Sequence, residues 1–405
     1  MNKIIVSLRP KKDIEMDRQT TALHLPYTRP DAYGALAVPV YNNVSYEFAD
    51  AQTMSDVFCN RIKAPDYSRV ANPTVTNLEQ RVKALTGAAH VTAFNSGMAA
   101  ISNALMAVAC QGGNIVSSLH LFGNTLSLIG RTLSRFGVEP RLCDLTNLAE
   151  VEANVDEKTC CIFLEIVTNP QLEVADLEAL AAIAHKKGTI LIADSTVIPF
   201  TETHLGALGV DIEVLSSTKY LSGGGTSLGG LVIDYGRDAE YNQRLKQEQL
   251  FNFGAYMPAQ SAYMQTLGLE TLAVRYRQQA ANTLALAEAL QSVKGIERVN
   301  YVGLPSHKFH NLSQRQFGST AGAMLTIDLE SQQACFNFLN RLKIIHRATN
   351  LFDNRTLAIH PASTIFGLFS DDEKRAMDVR PTTIRLSVGL EAVEDLLSDI
   401  KQALE

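Results

Sequence analysis

EVLSSTKYLSGGGTSLGGLVID, residues 213–234, passes from one short apolar run to another through a lysine set among hydroxyls and glycines. The runs DIEVLSS (211–217) and GGLVID (229–234) have the length and β-branched content of strands buried on both faces, and upstream NIVSSL (114–119), CCIFLEI (160–166) and GTILIAD (188–194) read the same way. Between them DLEALAAIAHKKG (176–188) is a helix: Asp176 caps it, Leu177, Leu180 and Ile183 share one face, and Gly188 stops it after two lysines. Strand and helix alternating in this way predict an α/β unit around a mainly parallel sheet.

The rest of the chain frames that unit. Residues 1–65, which include the aromatic PVYNNVSYEF (39–48), show no strong period and read as an arm that packs on something else. Residues 66–255 form the large unit. From 256 to 405 the pattern changes: GLETLAVRYRQQAANTLALAEALQSV is a long helical tract, GAMLTIDL a strand, and EAVEDLLSDIKQALE an amphipathic helix with Val393, Leu396, Leu397, Ile400 and Leu404 on one face. A smaller C-terminal α+β domain is expected there.

Composition narrows the partners. The chain has 405 residues, 46% of them hydrophobic, and 36 basic against 42 acidic side chains, a formal charge of −6. That balance disfavours nucleic acid or an anionic membrane surface and points to small molecules. The six cysteines show no CxxC spacing, two of them (Cys160 and Cys161) are adjacent, and no metal site is expected; they read as reduced, mostly buried thiols of a cytoplasmic protein. His307 and His310 read as solvated loop side chains. The uncharged stretch 84–130 is broken by Asn, Ser and Gly into pieces too short to span a bilayer.

Ligands of open α/β sheets bind beyond the carboxyl ends of the strands. Here those ends carry Thr168-Asn169-Pro170, Asp194, and Ser216, Thr218 and Lys219. The Ser-Gly turn of FNSGMAAISNALMAVA (94–109) opens a helix whose free N–H groups at Gly97 and Met98 make an anion site. Taken singly, each feature is ordinary: a lone lysine lies on the surface and a lone aspartate caps a turn. Together, a lysine near a phosphate site with an aspartate on the neighbouring strand matches what pyridoxal 5′-phosphate requires, an imine-forming amine, a carboxylate for the pyridine nitrogen and an anchor for the phosphate. The glycines fit neither a Walker loop, since no GK[ST] follows them, nor GxGxxG, since Leu228 stands where the third glycine belongs.

Read in order, YSRVANPT (67–74), NSGMAAIS (95–102), LFGNT (121–125), Asn169-Pro170, ADST (193–196), SSTKYLSGGGTSLGGLVID (216–234), GLETLAVRYRQQAANT (268–283) and IRLSVGLE (384–391) resemble the Cys/Met-metabolism family of pyridoxal-phosphate enzymes over nearly the whole chain. The resemblance implies fold type I, the aminotransferase-like fold, with a mainly parallel seven-stranded-type large domain and a smaller C-terminal α+β domain. Within the family, GTSLGGLVID (225–234) and TNLFDNRTLAIHPASTIFG (349–367) are most similar to O-acetylhomoserine sulfhydrylases. Methionine γ-lyases usually carry a cysteine after the glycine of the segment that here reads Phe122-Gly123-Asn124, and a serine where Asn350 stands.

By that resemblance Lys219 binds the cofactor covalently and moves protons, and Asp194 pairs with the pyridine nitrogen. Gly97, Met98, Ser216 and Thr218 hold the phosphate with Tyr67 and Arg69 of a neighbouring subunit, Thr196 adds to the cofactor site, Asn169 meets the ring hydroxyl, and Phe122 stacks on the ring. Arg385, with Asn350 beside it, grips the substrate carboxylate through the bidentate geometry arginine favours. The implied reaction is γ-replacement on O-acetyl-L-homoserine by sulfide or a thiol in methionine biosynthesis, by a homotetramer of active dimers. Elimination by a methionine γ-lyase, or a relative that binds the cofactor without catalysis, are the alternatives. Phe122 departs from the family's usual tyrosine, Gly224 from a histidine and Ser195 from an asparagine; the first loses a hydroxyl able to serve as an acid.

Overall fold

The computed structural model describes residues 16–24 and 33–405; the expected arm's residues 1–15 and 25–32 lie outside the described residues. Seven strands, β1 (His90–Phe94), β2 (Asn114–Ser117), β3 (Glu139–Leu142), β4 (Thr159–Glu165), β5 (Ile190–Asp194), β6 (Ile212–Leu215) and β7 (Gly230–Asp234), form one sheet in the order β1-β7-β6-β5-β4-β2-β3. From β3 to β6 neighbouring strands are parallel. β7 runs against both β6 and β1. Its direction follows from its connection: residues 216–229 return from the end of β6 with no crossover helix, and a parallel neighbour would need one. β1 therefore points the same way as β6, and its carboxyl end reaches the same rim.

The strands expected from apolar runs all form, with buried residues on both faces. β1 and β3 were not among them. β3 reads EPRL, and a strand with a proline and two charges fits only a sheet edge, where it lies. Asp176 caps the helix Leu177–Lys186 by accepting the Ala179 N–H, and Gly188, at φ +75°, follows its end. Two short helices, Arg18–His24 and Ala51–Phe58, lie in the segment read as arm-like, the second capped by Asp50 accepting from Thr53 N.

A second sheet has the order β10-β11-β12-β9-β8, from β8 (Arg298–Asn300), β9 (Met324–Asp328), β10 (His346–Arg347), β11 (Leu357–Ile359) and β12 (Thr383–Ser387). The expected single tract after Gly268 is two helices, Ala259–Glu270 and Leu272–Leu290, broken at Thr271. The last helix, Val393–Leu404, buries Leu396 and Ile400 with Val393, Leu397 and Leu404 partly covered beside them. His307 and His310 are half-buried rather than solvated: Phe309 N–H donates to His307 Nδ1, and His310 Nδ1 lies 3.1 Å from the Val302 carbonyl. Cys143, Cys161 and Cys335 are buried, Cys59 and Cys110 exposed, and all six thiols are free. Among the described residues no helix is long and apolar enough to cross a membrane.

One apolar core runs from the large sheet into the small one, through Leu164, Ile198, Tyr220, Tyr276, Phe352 and Ile384. Tyr220, next to Lys219, is its keystone. Its ring stacks on Phe352 at 4.1 Å between centroids, meets Tyr276 edge-on, and its hydroxyl accepts the Ala323 N–H. The lysine backbone is thereby pinned between the sheets. On the other face of the large sheet a second core holds the helix Gly97–Met106.

Two glycines make the rim close. A Cβ on Gly230 would lie 2.2 Å from the Ser96 carbonyl oxygen, and one on Gly97 would lie 2.6 Å from Ser216 Cβ. Gly230→Ala is expected to cost about 1–3 kcal/mol, the usual range for overpacking, and to loosen cofactor binding. Gly130→Ala, where a Cβ meets nothing within 4 Å, should be neutral or stabilising by up to about 1 kcal/mol. Urea unfolding of both variants checks the contrast.

Candidate active site

The carboxyl ends of β1, β4, β5 and β6 and the inner edge of the small sheet enclose a cavity of about 560 Å³. Each wall has a local cause. After β1, Ser96 caps the helix Gly97–Met106 by accepting from Ala99 N, which leaves the N–H groups of Gly97 and Met98 open at the first turn. After β5, Asp194 Oδ1 accepts the Thr196 N–H at 2.8 Å, and Thr196 Oγ1 in turn accepts the Ser216 N–H at 2.9 Å. This ties the loop after β5 to the lysine loop after β6.

Lys219 reaches into the cavity half-buried, and its Nζ donates to Asn350 Oδ1 at 2.9 Å. Burial, with the Arg385 charge nearby, lowers its amine to about 8. Arg385 comes from β12, 2% exposed; its Nη1 donates to Asn169 Oδ1 at 3.2 Å and its Nη2 to the carbonyl of Thr349 at 3.4 Å, while Nε has no partner. Burial lowers its guanidinium from the ordinary value. No carboxylate is paired with either cation among the described residues.

The acids sit at the other side. Burial pushes Asp194 up to about 6 against the pull of its Thr196 bonds. Burial and the Asp194 charge push Glu165, at the end of β4, up to about 8. Behind them Glu213, on the opposite face of β6, is raised to about 7 by burial and accepts from Ser195 Oγ at 2.5 Å and the Tyr235 hydroxyl at 2.7 Å. Ser195, which stands where the resemblance expects asparagine, is thus bonded away from the cavity.

Of the residues predicted from sequence, Gly97, Met98, Phe122, Asn169, Asp194, Thr196, Ser216, Thr218, Lys219 and Arg385 line this one cavity. Asn350 lines a second, more open cavity of about 770 Å³ that shares Thr218, Lys219, Leu228 and Thr349 with the first. Thr218 is committed elsewhere: its hydroxyl donates to the Gly229 carbonyl at 3.1 Å and accepts the Gly229 N–H at 3.0 Å, so a phosphate contact requires exchanging that bond. Tyr67 and Arg69 do not reach this chain's cavity. Tyr67 is 42% exposed, and Arg69 lies 5.5 Å from the Tyr67 ring and donates to the Phe251 carbonyl. Gly224, at the predicted histidine position, gives its carbonyl to Arg355 at 2.7 Å.

Sequence reasoning missed Glu165, Thr349 and Ile365 as parts of the cavity. Glu165 had a signal, as the one charge in the buried run CCIFLEI. Thr349 and Ile365 lie within the family-like stretch 349–367, but nothing in that stretch singled them out, because loops of the small sheet bring them in.

These residues fit pyridoxal phosphate. A cradle too tight for any Cβ and two open N–H groups face the hydroxyls of Ser216 and Thr218, an acid lies on the next strand, and an orphaned guanidinium nitrogen waits for an anion. Sheet, cavity and lysine define a pyridoxal-phosphate enzyme of fold type I. The chain belongs to the Cys/Met metabolism PLP-dependent enzyme family, whose model matches residues 19–405. It is 36% identical to the L-methionine gamma-lyase of Fusobacterium nucleatum subsp. polymorphum, over 95% of this chain and 97% of that one. It is 35% identical to O-acetyl-L-homoserine sulfhydrylase 1 of Thermus thermophilus, over 95% and 99%, and 35% identical to the O-succinylhomoserine sulfhydrylase of Pseudomonas aeruginosa, over 90% of each. Among solved structures, an O-acetylhomoserine (thiol)-lyase of Campylobacter jejuni with a pyridoxyl-lysine 5′-monophosphate superposes with a TM-score of 0.92 at 33% identity, covering 96% of this chain and all of that one.

The buried acids make a pH prediction for the cofactor-free protein. Asp194 and Glu165 hold their protons above the ordinary range, so their contribution to stability is complete below about pH 4 and is lost as pH rises through about 6 to 8. Asp194→Asn removes one titration and relieves the other. Its melting temperature relative to the parent should therefore rise steadily from pH 5 to pH 8; a constant difference would contradict the assignment.

Proposed function

We propose that this enzyme carries out γ-replacement on O-acetyl-L-homoserine with sulfide or a thiol, releasing acetate and giving homocysteine or a homologue for methionine biosynthesis. The observation that carries the reading is the pair of cavities meeting at Lys219. The enclosed one suits a bound amino acid, and the open one gives a second, sulfur-bearing reactant its own approach to the same amine. A single-substrate elimination needs no second approach.

Pyridoxal phosphate, when bound, supplies the electron sink that acidifies the carbon–hydrogen bonds of the amino acid. Asp194 would hold its pyridine nitrogen, Phe122 its ring face, Asn169 its ring hydroxyl, and Gly97, Met98, Ser216 and Thr218 its phosphate, with Thr196 supporting Ser216. Lys219 Nζ, lowered to about 8, is partly neutral near pH 7 and can take a proton from substrate Cα and return one at the neighbouring carbons. Asn350 Oδ1 aims that amine. Arg385 would grip the substrate carboxylate with the donors its present neutral partners leave weakly used. Phe122 brings no hydroxyl, so departure of acetate, a good leaving group, relies on Lys219 and solvent.

The reading includes a homotetramer of active dimers in the cytoplasm, with Tyr67 and Arg69 of a neighbouring subunit completing the phosphate end; their absence from this chain's own cavity supports it. Elimination from L-methionine is the second reading, favoured by the likeness to L-methionine gamma-lyases.

Purified protein supplemented with pyridoxal phosphate should form homocysteine from O-acetylhomoserine and sulfide, with little α-ketobutyrate from L-methionine alone. The reverse pattern would make it a lyase. Lys219→Ala should lack the visible absorption band of the covalently held cofactor and lose activity by at least a thousandfold. Arg385→Ala should keep the band and raise KM at least tenfold; an unchanged KM refutes the carboxylate grip.

A further inference from the structure

Glu165 ends β4 directly opposite Asp194 on β5 in the parallel register, so two carboxyls stand side by side on one face of the sheet, both lining the cavity. Two such acids in a water-poor site cannot both ionise at low cost, and Asp194 suffices to meet a cationic ring nitrogen. Glu165 is occupied differently. Its Oε1 accepts the Phe122 N–H at 2.6 Å and its Oε2 the Asn169 N–H at 3.3 Å. These N–H groups belong to two separate loops, one after β2 and one after β4.

Each loop brings a wall of the cavity. Phe122 opens the short helix Gly123–Ser127, whose first turn no side chain caps, so the Glu165 bond is what fixes the backbone beneath its ring. Asn169 places its Oδ1 on Arg385 Nη1, the one side-chain acceptor of that guanidinium among the described residues. No apolar side chain could accept either N–H group, and an amide in the same place would turn its NH2 toward one of them, because the two donors meet different oxygens of the carboxylate.

We propose that Glu165 is a positioning residue of the active site: its carboxyl locks the Phe122 and Asn169 backbones together and, through the Asn169 side chain, orients Arg385 toward the substrate carboxylate. The second half rests on the reading of Arg385 given above. On this proposal Glu165 acts through Phe122 and Asn169 and not on the reacting carbon or the leaving group. It sets ring face and carboxylate grip from one point, so a change at Glu165 disturbs both together.

The test uses holoenzyme of the parent, Glu165→Gln, Glu165→Ala and Arg385→Ala. Two quantities are read: the visible-region circular dichroism of the bound cofactor, which reports ring orientation, and the dissociation constant of L-norleucine, an amino acid without a γ leaving group, followed by the absorbance change. Norleucine should bind at least fivefold more weakly to Glu165→Gln and weaker still to Glu165→Ala, with an altered visible dichroism in both. Should Glu165→Ala fail to fold, Glu165→Gln decides alone. Parent-like dichroism and a norleucine constant within twofold of the parent's in Glu165→Gln, whatever its melting temperature, would overturn the proposal. Parent-like norleucine binding by Arg385→Ala would overturn the relay to Arg385 and the carboxylate reading, and undiminished binding by Glu165→Gln beside a weakened Arg385→Ala would overturn the proposal alone. None of these readouts depends on whether the enzyme replaces or eliminates.

Discussion

Among the described residues no carboxylate pairs with Lys219 or Arg385, which share one cavity, and the remaining site is arranged around that constraint. A buried cation is costly unless its donors are used, and here neutral oxygens use them: Asn350 for the lysine, Asn169 and two backbone carbonyls for the arginine. The acids lie apart on the strand ends, where burial keeps them from ionising easily. A cavity so divided suits a ligand that is itself divided, with anionic groups toward the amines and N–H groups and a protonated nitrogen toward the acid. Pyridoxal phosphate carrying an amino acid is such a ligand.

Packing holds this unfavourable arrangement in place. Tyr220, Phe352 and Tyr276 form an aromatic cluster under the lysine loop, and the Phe352 N–H donates to Ser387 Oγ at 2.6 Å on the strand that bears Arg385. Asn354 N–H reaches the Gly223 carbonyl at 2.8 Å and Arg355 the Gly224 carbonyl, so the loop carrying Asn350 is stitched to the loop carrying Lys219. The apolar area these contacts remove from water offsets the cost of the buried charges. Separating the two sheets would dismantle the site before it unfolded either one.

Much of this was legible along the chain because parallel strands put the residues that follow them on a single rim. Asp194 and Lys219 each follow a buried apolar run, and Ser96-Gly97 opens a helix at the same level, so strand order alone brings them together. Glu165 went unread because a charge at the end of an apolar strand is also what an ordinary strand terminus looks like; its meaning depends on the register that sets it opposite Asp194. The edge strand β3 was hidden for a similar reason: a position at the sheet edge is not visible in a local pattern.

By itself the sequence determined the alternating strands and helices, the lysine and aspartate at their ends and the glycines of the cradle, because each depends on periodicity or spacing within a few residues; the family resemblance came instead from motifs spread over nearly the whole chain. Tertiary structure decided what could be decided only between distant segments. It set Arg385 beside Lys219 with no counterion among the described residues and Glu165 across two loops, left Tyr67 and Arg69 outside their own chain's cavity, and turned Ser195 toward Glu213. Burial and the company of other charges govern those outcomes, and both are properties of the folded arrangement rather than of any one stretch of residues.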